Sequence, residues 1–104
     1  MKIYGLGTCD TCRKARKAFP DAEFVDVRSD GLPAEVLNEA FKTFGEKLLN
    51  TKSKTWRDLN DAQKQGTVPE LITAHPLLMK RPLIQRAEQF HLGWTKDVQT
   101  DLGL

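Results

Sequence analysis

A pair of cysteines lies where a strand-like segment gives way to a helix-like one, and this junction constrains the fold more than any other feature. Residues 2–5 have the composition of a short strand, and Gly7-Thr8 is typical of a turn. From Asp10 onward the apolar residues recur at helical spacing, with Arg and Lys between them, until Pro20 ends the pattern. The sequence therefore predicts that Cys9 lies at the N-terminus of a helix, directly after a strand.

The chain also carries the patterns of three further strands. Residues 23–27 alternate polar and apolar side chains, which makes the first part of the chain a right-handed βαβ unit with parallel strands. Residues 83–86 and 89–92 flank a short polar connection, as in an antiparallel hairpin. Apolar residues at every fourth position then predict a terminal helix: Trp94, Val98 and Leu102. The predicted fold class is α/β, with a four-stranded mixed sheet formed by βαβ and then ββα.

Between the two halves of this sheet, residues 32–80 predict a mainly helical insert. Pro33 is well placed as a first helical residue, before an apolar stripe that Gly45 closes. Residues 67–70 (TVPE) have the pattern of a capping box that opens another helix, and Pro76 ends it. With 104 residues and no linker or repeat, the chain is predicted to be a single domain, residues 1–104, with the insert inside it.

Composition excludes several classes of protein. The 16 Lys and Arg against 14 Asp and Glu leave a formal charge of +2, which gives no reason to expect direct binding of nucleic acid. No apolar run approaches the roughly 18 residues that span a bilayer, and a secretory signal is missing. Two cysteines are too few for a disulfide-stapled secreted fold. We therefore expect a cytoplasmic protein without membrane contact, and a monomer by default.

The spacing of the two cysteines predicts thiol chemistry. At a helix N-terminus, unpaired N–H groups and the helix dipole stabilise an anion, which lowers the pKa of a thiol placed there. Cys9 is the expected thiolate and nucleophile. Cys12 lies one turn further on, on the same side as Ala15 and Phe19, and is expected to be more buried and less ionised. Cys12 would then be the resolving thiol, which releases an adduct on Cys9 by forming a disulfide with it.

The cysteine pair also admits other interpretations. Both residues could be small buried apolar side chains, as free cysteines often are. A zinc site would have to recruit His75 and His91, which are remote in sequence, so no metal is predicted; His75 is better explained as a helix-terminal or core histidine. A phosphatase loop needs an arginine six residues after its cysteine, where this chain has alanine, and Gly5-Leu6-Gly7 is too short for a nucleotide-binding loop.

Lys80-Arg81-Pro82 precedes a predicted strand. An X-Pro bond in a tight turn is where a cis peptide is most plausible, so Pro82 is predicted to be a cis-proline. An arginine beside a helix N-terminus would supply donors to an oxyanion or a carboxylate and would stabilise the Cys9 thiolate. The non-functional alternative is that Lys80 and Arg81 are solvated surface charges. The loop at residues 50–54 and the basic face of the first helix have the same alternative.

Several motifs, in order along the chain, resemble the arsenate reductase (ArsC) family. They are residues 8–16 (TCDTCRKAR), 48–52 (LLNTK), 56–59 (WRDL), His75-Pro76 and residues 80–84 (KRPLI). That family includes the Spx-type transcription regulators and the YffB-like proteins, which are thought to be glutathione-dependent thiol reductases. The stretch from residue 48 to residue 59 is closer to the YffB-like group.

The resemblance implies a thioredoxin-like fold with a helical insert, Cys9 as the nucleophile and a cis Pro82. It also implies an anion-binding set, in which Arg81 matches one arginine of the family and Lys52 replaces a second basic residue. Arg13 is predicted as a further anion-binding residue. Two departures weaken an assignment to arsenate itself. The hairpin lacks a further arginine, and Cys12 stands where the glutathione-dependent arsenate reductases typically have serine.

The first functional hypothesis is therefore a thiol-dependent reductase with no bound cofactor, which uses glutathione as co-substrate or a glutaredoxin-type reductant. Cys9 and Cys12 would be its catalytic residues, with Cys12 as the resolving thiol or as a neighbour that tunes Cys9, and Arg81, Lys52 and Arg13 its substrate-binding residues. The alternative is a Spx-like redox sensor that binds the α subunit of RNA polymerase and in which the cysteine pair is the switch. A weaker third possibility is a general disulfide oxidoreductase.

Overall fold

A computed structural model describes residues 1–104 and contains one mixed sheet. Its four strands are β1 (Lys2–Gly5), β2 (Glu23–Asp26), β3 (Leu83–Arg86) and β4 (Gln89–Leu92). Their order in the sheet is β2-β1-β3-β4, with β1 and β2 parallel and the other two pairs antiparallel. This confirms the predicted four-stranded mixed sheet, and the hairpin strands have the predicted bounds.

Six α-helices and two short 3₁₀ turns make up the rest of the regular structure. The helices are α1 (Asp10–Ala18), α2 (Val27–Asp30), α3 (Ala34–Phe44), α4 (Lys54–Arg57), α5 (Val68–Ala74) and α6 (Lys96–Asp101). The 3₁₀ turns cover Gly45–Leu48 and Pro76–Leu78. None of these helices has the length and apolar character needed to cross a membrane.

The chain divides into two compact units. Met1–Asp30 and Arg81–Leu104 form the first unit, which holds the sheet with α1, α2 and α6. Gly31–Lys80 forms the second unit, which holds α3, α4 and α5. The second unit begins one residue before the insert that the sequence predicts at residues 32–80.

The first unit has its core where α1 and the terminal segment pack on the sheet. Ile3 and Ile84 are fully buried and form a cluster with Ala15 of α1 and with Leu102. They are partners across the β1–β3 ladder, so their side chains share one face of the sheet. Partly buried side chains complete this cluster: Met1, Phe19, Ala22, Phe24, Trp94 and Val98. This packing fixes α1, and with it both cysteines, against β1.

The second unit is built on contact between α3 and α5. Its buried residues include Leu37 and Ala40 from α3, together with Leu71 and Ile72 from α5. The predicted capping box is present at the start of α5. A single antiparallel bridge pairs Leu49, near the middle of the unit, with Met79 near its end.

Three predicted boundaries differ from the structure for identifiable reasons. Pro33 is the N-cap of α3 rather than its first residue, because its ψ of 138° is extended. Strand β2 ends at Asp26, since that carboxylate accepts the N–H groups of Arg28 and Ser29 and starts α2. Trp94 lies before α6, which begins after its N-cap Thr95.

Candidate active site

Cys9 is the N-cap residue of α1, and its side chain is partly exposed. Its backbone N–H donates to the Leu6 carbonyl at 3.2 Å, which closes the turn between β1 and α1. The Cys9 side chain makes no regular capping hydrogen bond to the helix. A sulfur atom therefore stands at the positive end of a nine-residue helix without a capping bond of regular geometry to it.

The surroundings of Cys9 favour its thiolate. Partial burial raises the pKa of the Cys9 thiol, but hydrogen bonds from Thr11 and from the backbone and side chain of Cys12 lower it, as does the charge of Arg81. Together these contacts lower the pKa to about 7. The Thr11 hydroxyl is the largest of the lowering contributions, with Oγ1 3.2 Å from Cys9 Sγ. At neutral pH a large fraction of Cys9 is ionised.

Cys12 has the opposite environment. Its side chain is fully buried against β1, at a point where a Cβ on Gly5 would come within 2.4 Å of Cys12 Sγ. Burial raises the pKa of the Cys12 thiol to about 12, and the hydrogen bond with Cys9 and the charge of Cys9 add to this effect. A backbone hydrogen bond from Leu6 and the charge of Arg81 oppose it. Both cysteines are free thiols, and the expectation that Cys12 is more buried and less ionised than Cys9 is confirmed.

The Arg81–Pro82 peptide bond is cis, and Pro82 is fully buried. The Arg81 carbonyl accepts a long hydrogen bond from the Thr11 hydroxyl at 3.5 Å, which links the start of α1 to the segment before β3. The Arg81 charge lowers the pKa of both cysteine thiols. Of the three cations predicted to bind an anion, Arg81 is therefore the one that acts on the thiols.

The other two predicted cations have different surroundings. Arg13 is exposed on α1 and forms an ion pair with Asp10, one turn earlier. Lys52 belongs to the second unit, where its backbone N–H donates to Asn50 and its carbonyl accepts from Arg57 at 2.9 Å. The side chain of Lys52 is exposed. The joint role of Lys52 and Arg81 thus stays a prediction.

Sequence reasoning assigned no role to several residues that shape this site. From the sequence, Thr11 is one of the two residues between the cysteines. Its hydroxyl inside the Cys-x-x-Cys motif is the signal that could have pointed to a hydrogen bond with Cys9. Gly5 was only the end of a strand, whereas the structure requires a residue without Cβ beside Cys12. Desolvation opposes the ionisation of Asp26, but backbone N–H donors of Arg28, Ser29 and Gly7 lower the pKa of its carboxyl, and the Gly7 bond ties it to the turn before Cys9.

No group of three or more His, Cys, Asp or Glu side chains is arranged to hold a metal ion. His75 is the C-cap residue of α5, in keeping with the helix-terminal role expected from the sequence. His91 lies in β4, where it pairs with Ile84.

The strand order and the position of α1 between two parallel strands are those of a thioredoxin-like fold, and the cysteine pair lies at the start of its first helix. The class of protein is thus a thioredoxin-like thiol protein. A narrower assignment comes from comparison with known sequences: the model of the ArsC family matches residues 4–101, and the chain belongs to that family. The resemblance predicted from the motifs is confirmed.

The similar proteins include both solved structures and a transcriptional regulator. The structure of a YFFB protein covers 96% of this chain and 96% of its own, with a TM-score of 0.85 and 28% identity. An arsenate reductase (ArsC) related protein from Brucella melitensis is 32% identical, covers 99% of this chain and 94% of its own, and has a TM-score of 0.69. The global transcriptional regulator Spx 2 of Bacillus cereus is 26% identical over 91% of this chain and 80% of the regulator.

Proposed function

We propose that this protein is a thiol-dependent reductase that takes its electrons from glutathione, with Cys9 as the nucleophile that attacks a disulfide-type or oxyanion substrate. The observation that carries this proposal is the contrast between the two thiols. A pKa of about 7 leaves about half of Cys9 ionised at pH 7, while a pKa of about 12 keeps Cys12 protonated. Cys9 can therefore act as a nucleophile at neutral pH, whereas Cys12 stays a protonated thiol.

For a glutathione mixed disulfide, the reaction needs only sulfur chemistry. The Cys9 thiolate attacks the glutathione sulfur, the disulfide bond of the substrate breaks, and the substrate thiol leaves with the electron pair and takes up a proton. Cys9 is then joined to glutathione. The thiolate of a second glutathione attacks that glutathione sulfur, which forms glutathione disulfide and returns Cys9 as a thiolate. Substrate and glutathione exchange two electrons, and the protein ends unchanged.

Cys12 has the properties of a conditional resolving thiol. Two of the causes that raise its pKa, the charge of Cys9 and the hydrogen bond with Cys9, depend on the free Cys9 sulfur. When Cys9 becomes part of a mixed disulfide, its negative charge disappears, so that the pKa of Cys12 falls. Cys12 can then lose its proton and attack Cys9 Sγ, which releases the other thiol and leaves a Cys9–Cys12 disulfide for glutathione to reduce.

Arg81 is the first anion-binding residue of this proposal, because its charge already acts on the Cys9 sulfur. A carboxylate of glutathione or an oxyanion would form charge-assisted hydrogen bonds with its guanidinium group. Lys52 and Arg13 are proposed as further contacts of the substrate. The support for Lys52 is the family resemblance of residues 48–52, and the support for Arg13 is its place one turn into α1.

Free thiols suit a reducing compartment, so we propose that the protein acts in the cytoplasm. The 32% identical ArsC-related protein of Brucella melitensis supports the reductase class. The presence of Cys12, where arsenate reductases typically have serine, favours a disulfide-type substrate over arsenate. We also propose that the protein works as a monomer.

The test combines thiol titration with adduct mapping. Ultraviolet thiolate absorbance is followed against pH in the wild type, in Cys9→Ser and in Cys12→Ser, and each protein is then treated with glutathione disulfide and analysed by mass spectrometry. We expect a midpoint near pH 7 wherever Cys9 is present, a stable glutathione adduct in Cys12→Ser, a glutathione adduct or a Cys9–Cys12 disulfide in the wild type, and none of these in Cys9→Ser. An unshifted midpoint, near the roughly 8.5 of an ordinary thiol, with no adduct would contradict the proposal.

A second candidate function is redox-sensitive binding to the α subunit of RNA polymerase. Its support is the 26% identity to the regulator Spx 2 over 91% of this chain, together with two adjacent free thiols that could form a disulfide. A pull-down with the purified α subunit tests it, using the reduced protein, the oxidised protein and Cys12→Ser. Binding that changes on oxidation in the wild type alone supports this candidate, and absence of binding in both states rejects it.

A further inference from the structure

The Thr11 hydroxyl contacts two groups with different hydrogen-bonding abilities. Thr11 is the second residue of α1 and is exposed; its Oγ1 lies 3.2 Å from Cys9 Sγ and 3.5 Å from the Arg81 carbonyl oxygen. A hydroxyl has one hydrogen to donate, whereas a carbonyl oxygen can only accept. The sulfur of Cys9 can donate as a thiol and can only accept as a thiolate. The protonation state of Cys9 therefore decides where the Thr11 hydrogen goes.

Each protonation state allows one arrangement. When Cys9 is a thiol, its S–H donates to Thr11 Oγ1, and the hydroxyl hydrogen is directed at the Arg81 carbonyl. When the Cys9 proton has left to solvent, the sulfur has no hydrogen, so the contact at 3.2 Å is made only if Thr11 turns its hydrogen to the sulfur. The bond given up is a long one of 3.5 Å, whereas the bond gained has a charged acceptor. The exchange favours the thiolate.

We propose that Thr11 is a catalytic residue that switches its hydroxyl hydrogen between the Arg81 carbonyl and the Cys9 sulfur, and so stabilises Cys9 both as attacking and as leaving thiolate. This inference rests on the proposed role of Cys9 as the nucleophile. In the attack, the switch raises the fraction of Cys9 that is ionised. In the release of Cys9 from its disulfide with glutathione, it stabilises the sulfur that departs, and a more stable leaving thiolate departs faster.

The other charged and titratable groups near Cys9 have separate effects. Cys12 and Arg81 both lower the pKa of Cys9, and the Arg81 charge is retained in every Thr11 variant. Asp10 and Arg13 form an ion pair with each other on the exposed side of the same helix. A shift measured on removal of the Thr11 hydroxyl therefore reports that hydroxyl.

The test uses Thr11→Val, which keeps the shape and removes the hydroxyl, with Thr11→Ser as the conservative variant. Thr8→Val is the matched control, because Thr8 is also exposed and adjacent to Cys9 but makes no side-chain hydrogen bond within the chain. Thr11→Ala serves as a second hydroxyl-free variant, should valine disturb the helix start. Alkylation of Cys9 is measured from pH 5 to pH 10 in each, with Cys12 replaced by serine throughout to isolate one thiol.

We expect Thr11→Val and Thr11→Ala to raise the pKa of Cys9 by roughly one unit, while Thr11→Ser and Thr8→Val stay near the starting value. Alkylation at pH 6 should then be several-fold to about tenfold slower, whereas at pH 10 it should be equal or up to about threefold faster, since a more basic thiolate is more nucleophilic. A disturbed structure would slow the reaction at every pH.

The hydrogen switch itself is followed by NMR on protein labelled at the carbonyl carbon of Arg81. In the Cys12→Ser background with Thr11 present, this signal should move with the Cys9 midpoint; in Thr11→Val it should lose that step. The proposal is overturned by an unchanged Cys9 midpoint in both hydroxyl-free variants or by an equal shift in Thr8→Val. It is also overturned if, with Thr11 present, the Arg81 carbonyl signal does not change as Cys9 titrates. These outcomes leave the glutathione adduct on Cys9 unaffected, so failure of this inference is distinguishable from failure of the reductase proposal.

Discussion

Helices α1 and α5 begin in opposite ways. At α5, the Thr67 side chain accepts the N–H of Glu70 at 3.2 Å, and the Glu70 carboxylate accepts the N–H of Thr67 at 3.0 Å. At α1, the corresponding position holds Cys9, whose sulfur makes no capping hydrogen bond of regular geometry, although the backbone N–H of Cys12 contributes to lowering its pKa. The start of α5 satisfies its N–H donors with permanent side-chain acceptors. The start of α1 instead directs its N–H groups at the Cys9 sulfur, which is an anion only when the thiol is ionised.

The difference has an energetic consequence. A good N-cap side chain stabilises a helix by roughly 0.5–2 kcal/mol relative to a residue that cannot accept a hydrogen bond. Cys9 gives up part of that stabilisation, and the same N–H groups and helix dipole instead lower the free energy of the thiolate. The start of α5 thus serves stability, whereas the start of α1 serves reactivity.

The largest expected effect comes from making the two starts alike. Cys9→Ser puts an N-cap residue of the same size at the start of α1. Thiol-dependent turnover of a glutathione mixed disulfide should fall by about a thousandfold or more, because the nucleophile is gone. The free energy of unfolding should rise by about 1 kcal/mol, because serine caps a helix well. Urea unfolding and a turnover assay measure the two quantities.

Cys9→Ala is the matched control for this change. It also removes the nucleophile, yet alanine cannot cap the helix, so turnover should be lost without any gain in stability. Equal unfolding free energies for the serine and alanine variants would contradict the view that the α1 start lacks a cap.

A second change tests how the start of α1 is held against β1. In Gly5→Ala, the new Cβ would lie 2.4 Å from Cys12 Sγ and 3.3 Å from Cys12 Cβ, so the helix or the strand must shift. Overpacking of this kind costs typically about 1–3 kcal/mol of unfolding free energy. Because Cys12 also donates to the Cys9 sulfur, the pKa of Cys9 should rise as well. Urea unfolding and the pH dependence of Cys9 alkylation provide the measurements.

Gly7→Ala is the control for that prediction, since a Cβ at Gly7 would meet no atom within 4 Å. Its unfolding free energy should differ from that of the wild type by no more than about 0.5 kcal/mol, as is usual for surface substitutions. If the two alanine variants proved equally stable, the close approach of Gly5 and Cys12 would not constrain the fold.

These helix starts also mark what could be predicted from the sequence. The capping box of α5 involves residues three apart, so Thr67 and Glu70 carry the whole signal locally. The position of Cys9 follows from the change of periodicity at Asp10, which is local too. Thr11 and Arg81 are 70 residues apart, and no local pattern reports that they meet. The same holds for the contact of Gly5 with Cys12, which depends on how α1 packs on β1.

The smallest expected effect concerns the pH dependence of the α5 start. Hydrogen bonds from the backbone and side chain of Thr67 lower the pKa of Glu70, so its contribution to stability is fully present above the unfolded pKa of about 4.3 and is lost as pH falls through the lower folded pKa. Wild type should therefore be slightly more stable than Glu70→Gln at pH 7, and this difference should shrink below about pH 4.3 and vanish once the pH is below the lowered pKa of Glu70. Urea unfolding of both proteins at several pH values measures this difference in unfolding free energy.

Cys9 alkylation is the control for this prediction. It should be the same in the wild type and in Glu70→Gln, because the capping box bonds only within the start of α5. A changed alkylation midpoint would mean that stability and reactivity are not divided between the starts of α5 and α1.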